Sequence, residues 1–355
     1  MKKNLLGKIA AGFMAAAMVV SLTACGGSGS GANDSTGSAS GKEYKVGIVK
    51  WVDDASLDQI QDNIQKELDA KGEELGVTFN YADYTENAGA DGSVLGQMAI
   101  DLLSKDVDIF IPIATPTATI IQSATEDADV PIVFAASSDP VGAKLVASME
   151  EPGANITGTS DALNTEAVAN LMLAQNPELK KVGLLYSKSE DASTKAIADA
   201  KKIFKEKGIE TIEKTGTNNN EIASAADSLV AEKVDAIFTP TDNTVMTAEL
   251  AIYEKLMAAG IPHYAGADSF ALNGAFCGYG VNYADLGKAT ADMAVDILVN
   301  GADPATTPVM TFDNGIATIN TEVAEGLKID LDQVKAAFEE YCSAINETVT
   351  QESFE

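Results

Sequence analysis

The side chains able to do chemistry here fall in a few short clusters. They are Trp51, Thr115-Pro116-Thr117, Ser137-Ser138-Asp139, Asp161, Tyr186, Thr241-Asp242-Asn243 and Asp268. Hydroxyls beside backbone N–H groups at a helix start can hold a carboxylate or another anion. Thr115, Thr117, Ser137 and Ser138 are placed for this, each just after an apolar run and before a helical pattern. The same residues have good helix-capping chemistry, and that reading stands beside the first. Asp161, Asp242 and Asp268 would be costly to bury without a cation, so at least one of them should meet a positive group on a ligand. Each could instead cap a helix or loop, and Asp139 is the clearest cap. Trp51 is the single Trp; its indole could stack on an apolar ligand or pack at a hinge. Tyr186 is expected to form an opposite wall.

Catalysis finds little support. There is one His and there are three Cys, with no His-Glu-x-x-His, Cys-x-x-Cys, P-loop or Gly-x-Ser-x-Gly motif. His263 follows a proline in a predicted strand with no nucleophile or acid beside it by motif, and reads as structural. The expectation is a protein that is not an enzyme and uses no cofactor and no metal. Of 355 residues, 24 are basic and 53 acidic, for a net charge of −29, and every basic residue is Lys. An acidic chain without a guanidinium is a poor partner for nucleic acid, whose binding rests on neutralising phosphates.

The elements that must position these clusters alternate. β-branched runs at Val46–Val49, Val107–Ile113 and Ile132–Ala135 are interleaved with amphipathic helical runs. One helix places Leu57, Ile60, Ile64 and Leu68 on a single face, with Ser56…Gln59 read as its capping box. Apolar runs alternating with helices predict parallel α/β sheets. The second half repeats the plan. Lys45–Trp51 is echoed by Lys181–Ser187 at an offset of 136 residues, Val107-Asp108 by Val234-Asp235, Thr115-Pro116-Thr117 by Thr239-Pro240-Thr241, and Val130-Pro131-Ile132 by Ile261-Pro262-His263. Echoes in one order predict two lobes of like topology. Ligands of such sheets sit outside the carboxyl ends of the strands, where the polar clusters lie. Three crossings are expected, at Gly153–Asp161, at Cys277–Tyr283 and near Met310–Asn314. Lobe 1 is then 43–157 plus 283–311, lobe 2 is 158–282 plus 312–345, and 346–355 is a flexible tail.

At the start, Lys2, Lys3 and Lys8 precede an apolar stretch ending in Leu22-Thr23-Ala24-Cys25, the lipobox pattern of a bacterial lipoprotein signal, with Cys25 as the lipidated residue. Residues 26–42 are Gly or Ser at eleven of seventeen positions and read as a flexible tether. Cys277 and Cys342 are expected as free thiols.

Several stretches together resemble the substrate-binding lipoproteins of ABC importers, of the type I periplasmic-binding fold, in the branch with tryptophan- and other aromatic-amino-acid-binding members. They are Val46–Asp53, Ile113–Ala118, Pro131–Ala136, Ser138–Ala143, Asn155–Asp161 and Thr239–Thr244. The likeness runs over about residues 45–325. It differs at Asp54-Ala55, where His-Pro is common in the family, and at Asn282, where Asp is common. It implies two Rossmann-like lobes joined by a three-crossing hinge, a small-molecule ligand between them, a membrane permease with a separate ATPase as partners, and an extracytoplasmic protein anchored to the outer face of the cell membrane through lipid on Cys25. An α-amino acid would then meet Ser/Thr hydroxyls through its carboxylate and one of the Asp residues through its ammonium. A sugar or nucleoside binder, or a sensor presenting ligand to a membrane receptor, are the alternatives.

Overall fold

The computed structural model describes residues 41–312 and 315–351. The signal segment, Cys25 and nearly all of the tether lie outside the described residues. Along the first lobe run β1 (Glu43–Lys50), α1 (Ala55–Leu75), β2 (Thr78–Asn80), β3 (Thr85–Asn87), α2 (Gly92–Ser104), β4 (Ile109–Ile113), α3 (Thr115–Ala124), β5 (Ile132–Phe134) and β6 (Ile156–Ser160). The second lobe follows with α4 (Thr165–Gln175), β7 (Lys181–Tyr186), α5 (Asp191–Glu206), β8 (Glu210–Thr215), α6 (Asn219–Ala231), β9 (Ala236–Thr239), α7 (Asn243–Ala258), β10 (His263–Ala265), α8 (Asp268–Leu272) and β11 (Cys277–Gly280). The chain returns to the first lobe for α9 (Tyr283–Asn300) and β12 (Met310–Thr311). It ends in the second with β13 (Ile316–Asn320), α10 (Thr321–Gly326), α11 (Leu331–Phe338) and β14 (Ala344–Thr348).

The first sheet is ordered β12-β6-β5-β4-β1-β2, with β3 also on β1, and is wholly parallel. The second is ordered β14-β13-β11-β10-β9-β7-β8, parallel except where β13 runs against β11. Both start from one plan, the first strand flanked by the second and the third, where β2 and β3 together count as the second strand of lobe 1 and β4 as its third. The sequence echoes recur as matching bonds. Asp108 accepts from the Lys45 N–H at 2.7 Å, and Asp235 accepts from the Lys181 N–H at 2.8 Å. In each lobe this pins the start of the first strand to the third.

Burial follows the apolar pattern. Ile60, Ile64 and Leu68 of α1 are fully buried and pack in one cluster with Leu286 and Met293 of α9. That packing needs Gly287, because a Cβ there would sit 2.5 Å from the Ile60 carbonyl oxygen. Leu286, Thr290, Met293 and Ile297 are the buried face of α9, as expected.

Three expectations change. The first crossing starts later than Gly153, because Ile156–Ser160 is a strand of the first sheet, so the lobe 1 sheet runs to Ser160 and not 157. The capping box is not made by Ser56, which lies inside the first turn because α1 starts at Ala55; α1 is capped by Asp54, whose carboxylate accepts from the Ser56 and Leu57 N–H groups. Nor is 346–351 a tail. Asn346–Thr348 belongs to β14 on the second sheet, and the Gln351 N–H donates to the Leu272 carbonyl at 2.8 Å.

Candidate functional site

In a sheet ordered 2-1-3-4-5, the crevice opens between the first and third strands, where the connections diverge to opposite faces. Both lobes put their polar clusters there. In lobe 1, β1 ends into Trp51 and Asp54, and β4 ends into Thr115. In lobe 2, β7 ends into Ser187 and Glu190, and β9 into Thr241, Asp242 and Asn243. Two adjoining cavities result. An inner one of 30 Å³ is lined by residues of both lobes, among them Asp54, Ser138, Asp161, Thr241, Asp242 and Tyr283. An outer one of 480 Å³ has Trp51, Pro116 and Ile120 on the lobe 1 side and Glu190, Asn243 and Thr244 on the lobe 2 side. Thr115 and Asn243 line both.

The lobe 1 side offers donors. No side chain caps α3: its N-cap is Ala114, and Pro116 occupies the first turn. The first N–H groups of α3 therefore lack a side-chain partner, and the helix dipole favours an anion there. Ala114 holds φ 81° and ψ 151°, and Ala136 φ 55°, conformations that cost non-glycine residues about 1–3 kcal/mol each. Both alanines line the inner cavity. Thr115 Oγ1 shares a 3.2 Å hydrogen bond with Ser137 Oγ and accepts from the Ser138 N–H at 3.3 Å. Ser137 is fully buried behind Thr115 and works as a strut. Thr117 is also fully buried; its hydroxyl finds no partner among the described residues, and it lines neither cavity.

Acids gather at the hinge, on the lobe 2 side and, in Asp54, at the start of α1. Asp161, at the first crossing, accepts from Ser138 Oγ at 2.9 Å and from the Tyr283 hydroxyl at the second crossing. Asp268 of α8 accepts from Ser56 Oγ of α1 at 2.6 Å, a bond between the lobes. Asp268 can approach β11 because residue 278 is glycine; a Cβ there would lie 2.9 Å from the Asp268 Cα. Burial raises the pKa of Asp161, Asp242 and Asp268. Asp54 is pushed up to about 7, by burial first and by the Asp268 charge in addition. One Asp54 oxygen, Oδ2, is buried without a partner. Glu190 is pushed up to about 8 by burial and by the neighbouring Asp242. This is a cleft poor in positive charge. The buried Lys50 is committed to Asp53 and Asp58 at the end of β1. A ligand ammonium would supply the missing cation.

The structure redistributes several expected roles. Trp51, Thr115, Pro116, Ser138, Asp161, Thr241, Asp242 and Asn243 line the two cavities. Asp268 reaches them through Ser56. Asp242 is mainly a clamp. It caps α7 through the Val245 N–H at 2.9 Å and accepts from the Ser187 N–H at 2.7 Å and Ser193 Oγ at 2.6 Å. Tyr186 is no cleft wall. Its side chain packs in the second-lobe core and its hydroxyl donates to Glu213 at 2.8 Å. The reason is register: at the 136-residue offset Tyr186 matches Lys50, and the partner of Trp51 is Ser187. Asp139 caps a turn through the Gly142 N–H. His263 is buried between Glu249 (2.9 Å) and Thr239 (2.7 Å) inside lobe 2. Cys277 and Cys342 are free.

Sequence reasoning passed over Asp54, Ser56, Glu190 and Tyr283. A signal existed for two of them. Asp54 and Glu190 are 136 residues apart, the offset of the first echo, so each is an acid at the same place after the first strand of its lobe.

Comparison with known proteins agrees with this geometry. Residues 45–339 match the family model described as ABC transporter substrate binding protein. A tyrosine-binding protein of Clostridioides difficile (strain R20291) is 30% identical over 336 residues, 94% of this chain and 95% of that protein. The crystal structure of an ABC domain in complex with L-Trp from Streptococcus pneumoniae is 32% identical, covering 86% of this chain and 100% of that one, with a TM-score of 0.77. The ligand-free, open structure of a substrate-binding protein with adhesive properties from Clostridium difficile is 29% identical, covering 87% and 100%, with a TM-score of 0.65. With two α/β lobes of one topology and a polar cleft at their switch points, the chain belongs to the ABC transporter substrate-binding protein family, in its type I periplasmic-binding fold.

Proposed function

We propose that this protein captures an aromatic amino acid between its lobes and delivers it to the membrane permease of an ABC importer driven by a separate ATPase. The observation that carries the reading is the make-up of the cleft: an uncapped helix start with hydroxyls at α3, and buried acids without a cation at the hinge, on the lobe 2 side and, in Asp54, at the start of α1. A zwitterion satisfies both, its carboxylate at α3 and its ammonium among Asp54, Asp161 and Asp268. The outer cavity, walled by Trp51, Pro116 and Ile120, takes an aromatic side chain. The tyrosine- and tryptophan-binding relatives support this choice of ligand. The chain also superposes better on the tryptophan-bound relative than on the open one at nearly equal identity, in keeping with the Ser56–Asp268 bond that joins the lobes. We further propose that the protein is extracytoplasmic and held to the outer face of the membrane through lipid on Cys25; Cys25→Ala should move it to the soluble exported fraction, and membrane retention of the variant would discard the anchor.

The deciding experiment is a thermal-shift titration. L-tyrosine, L-tryptophan or L-phenylalanine should raise the melting temperature, by about 2.7 kcal/mol of stabilisation at 100 times the dissociation constant. Their amides and N-acetyl forms should lose most of this, each leaving buried polar groups unpaired. Stabilisation by a pentose or nucleoside, with no amino acid binding below about millimolar, would replace this reading with the sugar-type one.

A further inference from the structure

The aromatic reading leaves open how a ring is told from a ring. We propose that Glu190 is the selecting residue: its carboxyl group takes a hydrogen bond from a donor on the ligand's ring system, a phenol O–H or an indole N–H, in the outer cavity. This rests on the aromatic-ligand reading and sharpens it from any aromatic amino acid to one whose ring carries a hydrogen-bond donor.

Asp54 and Glu190 stand at equivalent places, each at the N-cap of the helix after the first strand of its lobe. Asp54 caps its helix. Glu190, one methylene longer, makes no cap bond to α5, and its carboxyl turns instead into the outer cavity. The task of tying the α5 start to β7 has passed to Asp242, which accepts from Ser187 and Ser193. Glu190 is thus released from the job its counterpart does, yet it stays buried, with 5% of its surface exposed.

Its surroundings do not neutralise it. Oε1 accepts from Thr244 Oγ1 at 3.1 Å and Oε2 from Asn243 Nδ2 at 3.3 Å, with the Thr244 backbone N–H beside them, all neutral donors. These two bonds fix the carboxyl orientation and leave lone-pair capacity on each oxygen. Burial first and Asp242 second raise the pKa of the group, in agreement with a buried carboxyl that meets no cation.

The position within the cleft separates the ring from the ammonium. The inner cavity, at 30 Å³, has room for a charged head beside Asp54 and Asp161, with Asp268 behind Ser56, but none for an aromatic ring. The ring must lie in the 480 Å³ cavity, between Trp51 and Pro116 on one side and Glu190 on the other. A phenylalanine side chain there meets Glu190 with C–H groups only. Tyrosine or tryptophan brings a further donor to the carboxyl, and a hydrogen bond made at a buried acceptor carries enough energy for roughly 10- to 100-fold discrimination.

The test compares L-Tyr, L-Trp and L-Phe by calorimetric titration on the full folded body, in the unaltered protein, Glu190→Gln and Glu190→Met. The unaltered protein should prefer Tyr and Trp over Phe by roughly 10-fold or more. The ratio should collapse to within about threefold in Glu190→Met and fall to an intermediate value in Glu190→Gln, which keeps a weaker acceptor. A ratio that survives in Glu190→Met, with all three ligands weakened alike, overturns the inference and makes Glu190 a reader of the ammonium or a strut for Asn243 and Thr244. Equal binding of Phe, Tyr and Trp by the unaltered protein overturns it too. If Glu190→Met fails to fold, the ratio in Glu190→Gln decides: lowered for the inference, unchanged against it. Binding of none of the three by the unaltered protein sinks the aromatic reading itself, and this inference with it.

Discussion

The two lobes bring one topology to the cleft and opposite chemistry. After the third strand, lobe 1 starts α3 at once, behind Ala114 and without a side-chain cap. Lobe 2 inserts a turn and caps α7 with Asp242. After the first strand the roles reverse: Asp54 caps α1, and Glu190 leaves α5 without a side-chain cap. Each lobe therefore exposes one bare helix start and spends one acid on the other. The lesson is that strand order decides where a ligand can sit, while a change of one residue at a helix cap decides which charge that place will accept.

The largest expected effect breaks the balance by pH. Asp54, raised to about 7, and Glu190, raised to about 8, are protonated in the folded protein over a range where the unfolded chain has already ionised. Their stabilising balance is fully present below about pH 4 and is lost as pH rises through 7 and 8, at up to about 1.4 kcal/mol per pH unit for each group. Urea unfolding of the ligand-free protein at pH 5 and pH 8.5 should show the loss, and Asp54→Asn should reduce it. A flat profile would mean that both carboxyls reach solvent or a cation.

Next comes the clamp. Asp242→Ala removes three accepted hydrogen bonds in the interior of lobe 2, and should cost about 2–3 kcal/mol and most of the binding. Asp268→Ala, whose side chain accepts from Ser56, should cost about 1 kcal/mol or less of stability. Equal losses in chemical denaturation would erase the distinction between clamp and contact.

A smaller effect concerns closure. Ser56→Ala deletes the bond between α1 and Asp268 and should weaken ligand binding by roughly fivefold, with a larger mean radius of gyration in solution scattering at subsaturating ligand. The smallest is at α3. Thr117→Val removes a buried hydroxyl without a partner, so melting and affinity should stay within about 0.5 kcal/mol of the parent, while Thr115→Val should lose affinity. Loss of binding in Thr117→Val would show that the hydroxyl reaches the ligand after all.

Much of the site was legible as position and little as pairing. Thr115, Asp161 and Asp242 could be picked out because polar residues directly after apolar runs must lie at strand ends. Tyr186 was misplaced because a single step in register sends a strand side chain to the other face, and the echo pairs Trp51 with Ser187. Asp54 and Glu190 were hidden because an acid before a helix reads as a cap, and only one of the two is a cap. Residues 346–351 look like a polar end by composition, yet Asn346–Thr348 complete the second sheet beside β13.

The sequence by itself determined the two-lobed α/β plan, since periodicity and the ordered echoes are local properties that burial must respect. It also determined that a ligand carboxylate would have to be met without a guanidinium, because no Arg is present. The tertiary structure alone decided which carboxyls crowd together. Asp54 and Asp268 come from different lobes, Asp161 and Tyr283 from different crossings, and Glu190 meets Asp242 only when β7 and β9 lie side by side. Desolvation and like-charge repulsion depend on distances through space, and those exist only once the lobes have packed.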